Sequence, residues 1–77
     1  MTVRELRIRY LVPEMFHPND ESRAVCHAII VNFNNLKPKA DEIRRIGYKI
    51  VGVDERFRDD SKYMSLLDGW NEITRPT

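Results

Sequence analysis

The sequence predicts an α+β fold: a two-layer, open-faced sandwich in the order β-β-α-β-α, with a three-stranded mixed sheet and both helices on one face. Three observations favour it. Residues 3–12 alternate apolar and charged side chains, residues 23–33 and 48–57 are apolar on both sides, and two other segments repeat apolar residues at helical spacing. Because 77 residues leave room for one core, residues 1–77 are expected to form a single small domain.

The first strand is expected at 3–12, "VRELRIRYLV", where Leu6, Ile8 and Tyr10 alternate with charged residues. This period of two places one row of side chains in the core and the other in water. The next segment, "PEMFHPNDES" at 13–22, contains two prolines and an Asn-Asp pair, which predict a loop.

The second strand is expected at 23–33, "RAVCHAIIVNF", and both of its side-chain rows are mostly apolar, which is typical of a central strand. A helix should follow. Pro38 suits the first turn of a helix and disfavours helical geometry at Lys37, so this helix is expected to begin near Lys37–Pro38. Gly47 is the expected residue at its C-terminal end.

The third strand is expected at 48–57, and the charged run "DERFRDD" at 54–60 indicates a solvated turn with internal ion pairs. A catalytic role for Asp54 is less favoured, because a chain of this size has little volume to enclose a substrate. Ser61 is expected to cap a second helix over 61–74, "SKYMSLLDGWNEIT". The strand–helix–strand unit in the middle of the chain implies a parallel or near-parallel pair with a right-handed crossover. The first strand can then pair antiparallel, either between these two strands or at the edge of the sheet.

Composition favours a cytoplasmic protein without membrane association. The 13 basic and 12 acidic residues leave a net charge of +1, which argues against strong non-specific attraction to nucleic acid or to a membrane surface. The first ten residues are charged throughout and lack the apolar segment of a secretory signal. Cys26, the single cysteine, lies in an apolar run, a pattern typical of a reducing compartment.

No catalytic or cofactor-binding pattern stands out, so we expect a protein that is not an enzyme and uses no cofactor or metal. His17, His27 and Cys26 lack a recognised metal-ligand spacing. A cysteine in the middle of an apolar strand is expected to be protonated and unreactive. The three glycines form no phosphate-binding loop. A small hydrolase or metal protein that uses His17, Asp20 and Asp54 is therefore the least favoured hypothesis.

The preferred hypothesis is a small non-enzymatic protein-binding module, such as a stand-alone regulator or inhibitor of a larger protein assembly. With both helices on one face, the other face of the sheet would keep an apolar centre with a charged rim, and the sheet would have two unpaired edges. Either feature could bind another protein or a second copy as a homodimer. The expected partner-binding residues are Arg7, Arg9, Val51 and Val53 on the open sheet, with Glu14, Asp20 and Glu21 as an acidic rim.

The alternative is a nucleic-acid-binding protein that uses a basic sheet face and a basic first helix. Its basic side chains would contact phosphates, although the sequence has no aromatic RNA-binding motif and no GXXG loop. The residues that would serve this function are Arg4, Arg7, Arg9, Lys37, Lys39, Arg44 and Arg45.

Overall fold

A computed structural model describes residues 1–74 of the chain, which form one four-stranded sheet with a single α-helix on one face. The strand order is β2-β1-β3-β4, and each neighbouring pair is antiparallel. The elements are β1 (Thr2–Val12), a short 3-10 helix (Glu21–Arg23), β2 (Val25–Val31), α1 (Phe33–Ile46), β3 (Lys49–Asp59) and β4 (Asn71–Thr74).

The first strand, β1, forms the centre of the sheet. Leu6 pairs with Val31 of β2 on one side and with Glu55 of β3 on the other. The alternation of β1 confirms the expected strand, because Leu6 and Ile8 are fully buried on the face that α1 covers. β2 and β3 run in the same direction but do not pair, since β1 lies between them.

The helix α1 begins one turn earlier than expected. The side chain of Asn32 accepts a hydrogen bond from the amide of Asn35 at 3.0 Å, so it caps the helix, and Pro38 lies inside rather than in the first turn. The expected C-terminal end is confirmed, because Gly47 has a φ of 104° and its amide donates to the carbonyl of Arg44. Ala40 of α1 is buried in the core.

The expected second helix and the three-stranded mixed sheet are both wrong. Residues 61–70 contain turns and irregular structure but no helix, and the chain then adds β4 as a fourth, antiparallel strand. Asp59 accepts hydrogen bonds from both the amide and the hydroxyl of Ser61, which closes a local turn instead of capping a helix. Gly69 has a φ of 79°, a left-handed conformation that interrupts helical geometry within the expected segment.

The position of β2 also differs from the expectation of a central strand. It is the outermost strand on one side of the sheet and pairs only with β1. Although β2 has apolar residues on both faces, most of its side chains are not buried, because residues 25–28 and Ile30 are exposed.

Candidate functional site at the outer edge of β2

The outer side of β2 presents unpaired backbone to solvent. An outermost strand donates and accepts hydrogen bonds on one side only, so its other side is available to a further strand. Sheet proteins commonly protect such edges with lysine, proline or a bulge. Val25–Val31 contains no charged residue and no proline, and its register with β1 is unbroken. We call the outward backbone and exposed side chains of Val25–Val31 the β2 edge.

Exposed side chains flank this backbone on both faces of the sheet. Cys26, Ala28 and Ile30 lie on the face opposite α1, where they pair with Leu11, Arg9 and Arg7 in register. This row is apolar and solvent-exposed. A strand that paired here would therefore bury apolar surface in addition to forming backbone hydrogen bonds.

The α1 side of the β2 edge has an aromatic stack. The ring of His27 lies 5.9 Å from that of Tyr10, and Tyr10 lies 5.8 Å from Tyr48 with the planes nearly parallel. Val25, at the start of the strand, is 58% exposed. The stack joins β2 to β1 on the face that α1 covers, and it does not cover the outer edge of β2.

An open groove of about 610 Å³ lies at the Val31 end of β2, between the strands and the start of α1. Its wall combines apolar side chains, asparagine amides and the charged side chains of Arg4, Glu5, Lys39 and Glu42. The apolar and amide part of the lining includes Ile29, Ile30, Val31, Asn32, Asn35 and Pro38. The groove is continuous with the β2 edge, because three of these residues belong to the strand itself.

The centre of the sheet face opposite α1 is charged and not apolar. We call Glu5, Arg7, Arg9, Asp54, Arg56 and Arg58 the charged ladder. Asp54 is only 3% exposed and lies within β3, so the expected solvated turn at 54–60 is wrong. One oxygen of Asp54 accepts from Nε of Arg7 at 2.9 Å and from Nε of Arg9 at 2.8 Å. This carboxylate therefore holds both arginines.

Trp70 covers the other part of the charged ladder. The guanidinium carbons of Arg7 and Arg56 both lie over its ring, 4.6 and 4.5 Å from the ring centre. Arg56 is 1% exposed and donates to Glu5 at 2.9 Å. Burial of Glu5 tends to raise its pKa, but hydrogen bonds from Arg56 and Arg58 outweigh it, so the pKa of Glu5 lies below its ordinary value of 4.5.

The residues expected to bind a protein partner do not form one surface. Val53 is buried on the α1 face, because it pairs with Ile8, and Val51 is half-buried at the register shift opposite Arg9 and Tyr10. The three acidic residues of the expected rim lie in the segment between β1 and β2. There Glu14 contacts His17 at 2.6 Å, Asp20 caps the 3-10 helix, and Glu21 contacts Lys49 at 3.2 Å.

The residues of the nucleic-acid hypothesis are also divided. Arg4 lies on the face opposite Arg7 and Arg9; it pairs with Glu55 at 2.8 Å and packs over the ring of Phe33. On α1, Lys39 pairs with Glu42 at 3.0 Å and Arg44 with Asp41 at 3.6 Å. Lys37 and Arg45 have no ion pair within residues 1–74.

Within residues 1–74, no group of three or more histidine, cysteine and acidic side chains is arranged to hold a metal ion. His17 contacts Glu14 and Arg23, and Arg23 pairs with Asp20. No helix in the described part of the chain has both the length and the apolar character needed to cross a membrane.

Sequence reasoning missed the β2 edge and the role of Trp70. The signal for the edge was present, because Val25–Val31 is an uncharged run with two apolar rows, but that pattern was assigned to a central strand. Trp70 lies in the segment that the sequence predicts as the second helix. Its contacts with Arg7 and Arg56 depend on pairing between distant parts of the chain, which local spacing does not report.

Comparison of the chain with protein-family models, with curated proteins and with solved structures found no match. We therefore infer function from the placement of the described side chains and of the β2 edge.

Proposed function

We propose that this chain is a non-enzymatic protein-binding module that accepts an extended segment at the β2 edge. The observation that carries the proposal is the outer edge of β2, which has one neighbouring strand and lacks the residues that usually protect an edge. Its outward backbone has no paired strand within the described residues. An added strand would pair with it.

Strand addition would use two sources of binding energy. Outward N–H and C=O groups of β2 would pair with the backbone of the added segment, and alternate side chains of that segment would set its specificity. Burial of exposed apolar side chains such as Val25 and Ile30 would contribute about 25 cal/mol for each Å² removed from water. By occupying a segment of a larger protein, such a module would act as its regulator or inhibitor.

The ion pairs of the charged ladder favour this proposal over the nucleic-acid alternative. A phosphate that approached Arg7 or Arg9 would compete with Asp54, a carboxylate that is already buried between them. Phosphate-binding proteins instead present arginine and lysine side chains that are free to form such contacts. Binding to nucleic acid remains the less favoured alternative.

The proposal is tested with a display library of nine-residue peptides that alternate apolar and polar residues. Peptides selected on the wild-type chain should lose at least roughly tenfold in affinity for Ile30→Lys, because a lysine on an edge strand blocks pairing. The matched control is Leu67→Lys, which adds the same charge at an exposed apolar residue outside β2. Selected peptides that bind both variants equally, with circular dichroism unchanged, would contradict the proposal.

A further inference from the structure

We propose that the segment paired at the β2 edge is β2 of a second copy, antiparallel and related by a two-fold axis at Ala28. This inference rests on the proposed function, because it uses the same edge and names its occupant. The two sheets would join into one sheet of eight strands, twice the four of one chain. Such a contact is isologous, so each contact occurs twice.

The order of side chains along β2 suits pairing with itself. Pairing over the full length of Val25–Val31 is centred on Ala28, the middle residue. The small Ala28 side chains then meet at the axis, Cys26 faces Ile30 of the second copy, and Val25 faces Val31. Each cross-strand pair of the Cys26–Ala28–Ile30 row joins uncharged side chains, so no like charges oppose one another.

The shapes of the two strand ends are also complementary. The exposed side chain of Val25 projects at one end of β2, and the 610 Å³ groove lies at the other end, where Val31 forms part of its wall. An antiparallel two-fold contact brings Val25 of each copy to the groove of the other. One end of β2 thus supplies the projecting apolar group, and its other end, together with β1 and α1, supplies the groove that receives it.

A charge exchange at the axis tests this arrangement. Ala28→Glu and Ala28→Lys should each raise the dimer dissociation constant at least roughly tenfold, because each places two like charges opposite one another. A one-to-one mixture should recover a dimer, measured as molar mass by light scattering across a concentration series. Ser61→Glu and Ser61→Lys, in the turn after β3, are the matched controls and should dimerise as wild type. Residue 28 pairs with Arg9 within one chain, so the fold of each variant is checked before its dimerisation is measured.

Cysteine cross-linking tests the register itself. In a Cys26→Ala background, Ala28→Cys should form a disulfide across the axis, where paired Cβ atoms lie about 4.5–5.5 Å apart. The native Cys26 residues should not cross-link, because four residues of offset separate them by roughly 13 Å along the strand. Cross-linking through Cys26 instead, or a mixture that stays monomeric, would overturn the proposed pairing.

The failure of this inference is distinguishable from that of the proposed function. A wild-type chain that is monomeric at high concentration, but whose library peptides still lose affinity for Ile30→Lys, would overturn self-pairing and leave strand addition intact. A chain that neither dimerises nor selects such peptides would overturn both.

Discussion

Replacement of Arg56 by alanine is the sharpest test of what stabilises the fold. The side chain is 1% exposed, in a domain with a small apolar core. Its guanidinium donates to Glu5 at 2.9 Å, to the carbonyl of Ser65 at 2.6 Å and to that of Asp68 at 3.1 Å. It also packs against Trp70, so one side chain connects β1 and β3 to the segment before β4.

The expected loss is at least about 3 kcal/mol, because Arg56 donates three hydrogen bonds and makes a cation–π contact. Hydrogen bonds to a charged group contribute about 1.5–3 kcal/mol and a cation–π contact about 0.5–2 kcal/mol. Loss of Arg56 leaves Glu5 with Arg58 at 3.1 Å, so its charge is not left unpaired and the full cost of a broken buried ion pair does not apply. One core of this size stabilises a chain by roughly 3–5 kcal/mol, so the variant should be close to unfolding at 25 °C.

Urea denaturation followed by both far-UV circular dichroism and the fluorescence of Trp70, the single tryptophan, measures this loss. Arg56→Lys should be intermediate, because lysine keeps the charge but not the planar fork. Arg45→Ala, on the exposed surface of α1, should change stability by less than about 0.5 kcal/mol. A loss below about 1 kcal/mol for Arg56→Ala, with unchanged Trp70 fluorescence, would refute the reasoning.

Three further changes test other contacts. Because the pKa of Glu5 is lowered in the folded state, its ionised carboxylate stabilises the fold fully above pH 4.5, and this stability is lost as the pH falls through the folded-state pKa. The thermal midpoint of Glu5→Gln should therefore depend less on pH below 4.5 than that of the wild type. Parallel curves for the two proteins would contradict this. Asn32→Ala should cost about 1 kcal/mol in urea by removing the cap of α1, and Asn32→Asp should retain most of it; equal losses would contradict capping. Gly52→Ala should destabilise the chain by about 1–2 kcal/mol, because the new Cβ overlaps the guanidinium of Arg9, which can move away only by breaking its hydrogen bonds to Asp54. In an Arg9→Ala background the same change should cost much less, and additive losses in that double-mutant cycle would exclude the contact.

Local pattern predicted the parts of the fold that local physics determines. The alternation around Leu6 and Ile8 identified β1 and its buried row, because a period of two has one structural meaning. Gly47 identified the end of α1, since a left-handed residue there depends on the residue alone. The start of α1 was misplaced because the cap at Asn32 outweighed the preference of Pro38 for a first turn.

Features that depend on distant pairing were not predictable in this way. The apolar spacing in residues 61–74 indicated a helix, but α1 already covers the apolar face of the sheet and the opposite face carries the charged ladder. The candidate site was hidden for a related reason. Two apolar rows report which faces of a strand suit burial and not which of its edges is paired, so they could not show that β2 has only β1 beside it.

The central position of β1 also affects how the chain folds during synthesis. β1 leaves the ribosome before both of its partners, and Thr2 pairs with Asp59, near the other end of the described chain. At roughly 5–20 residues per second, β1 waits several seconds for β3. Until then its core row, including Leu6 and Ile8, has only β2 and α1 to cover it. Folding of this domain should therefore be limited by the arrival of β3, and a ribosome stalled before residue 59 should hold a chain that binds chaperones.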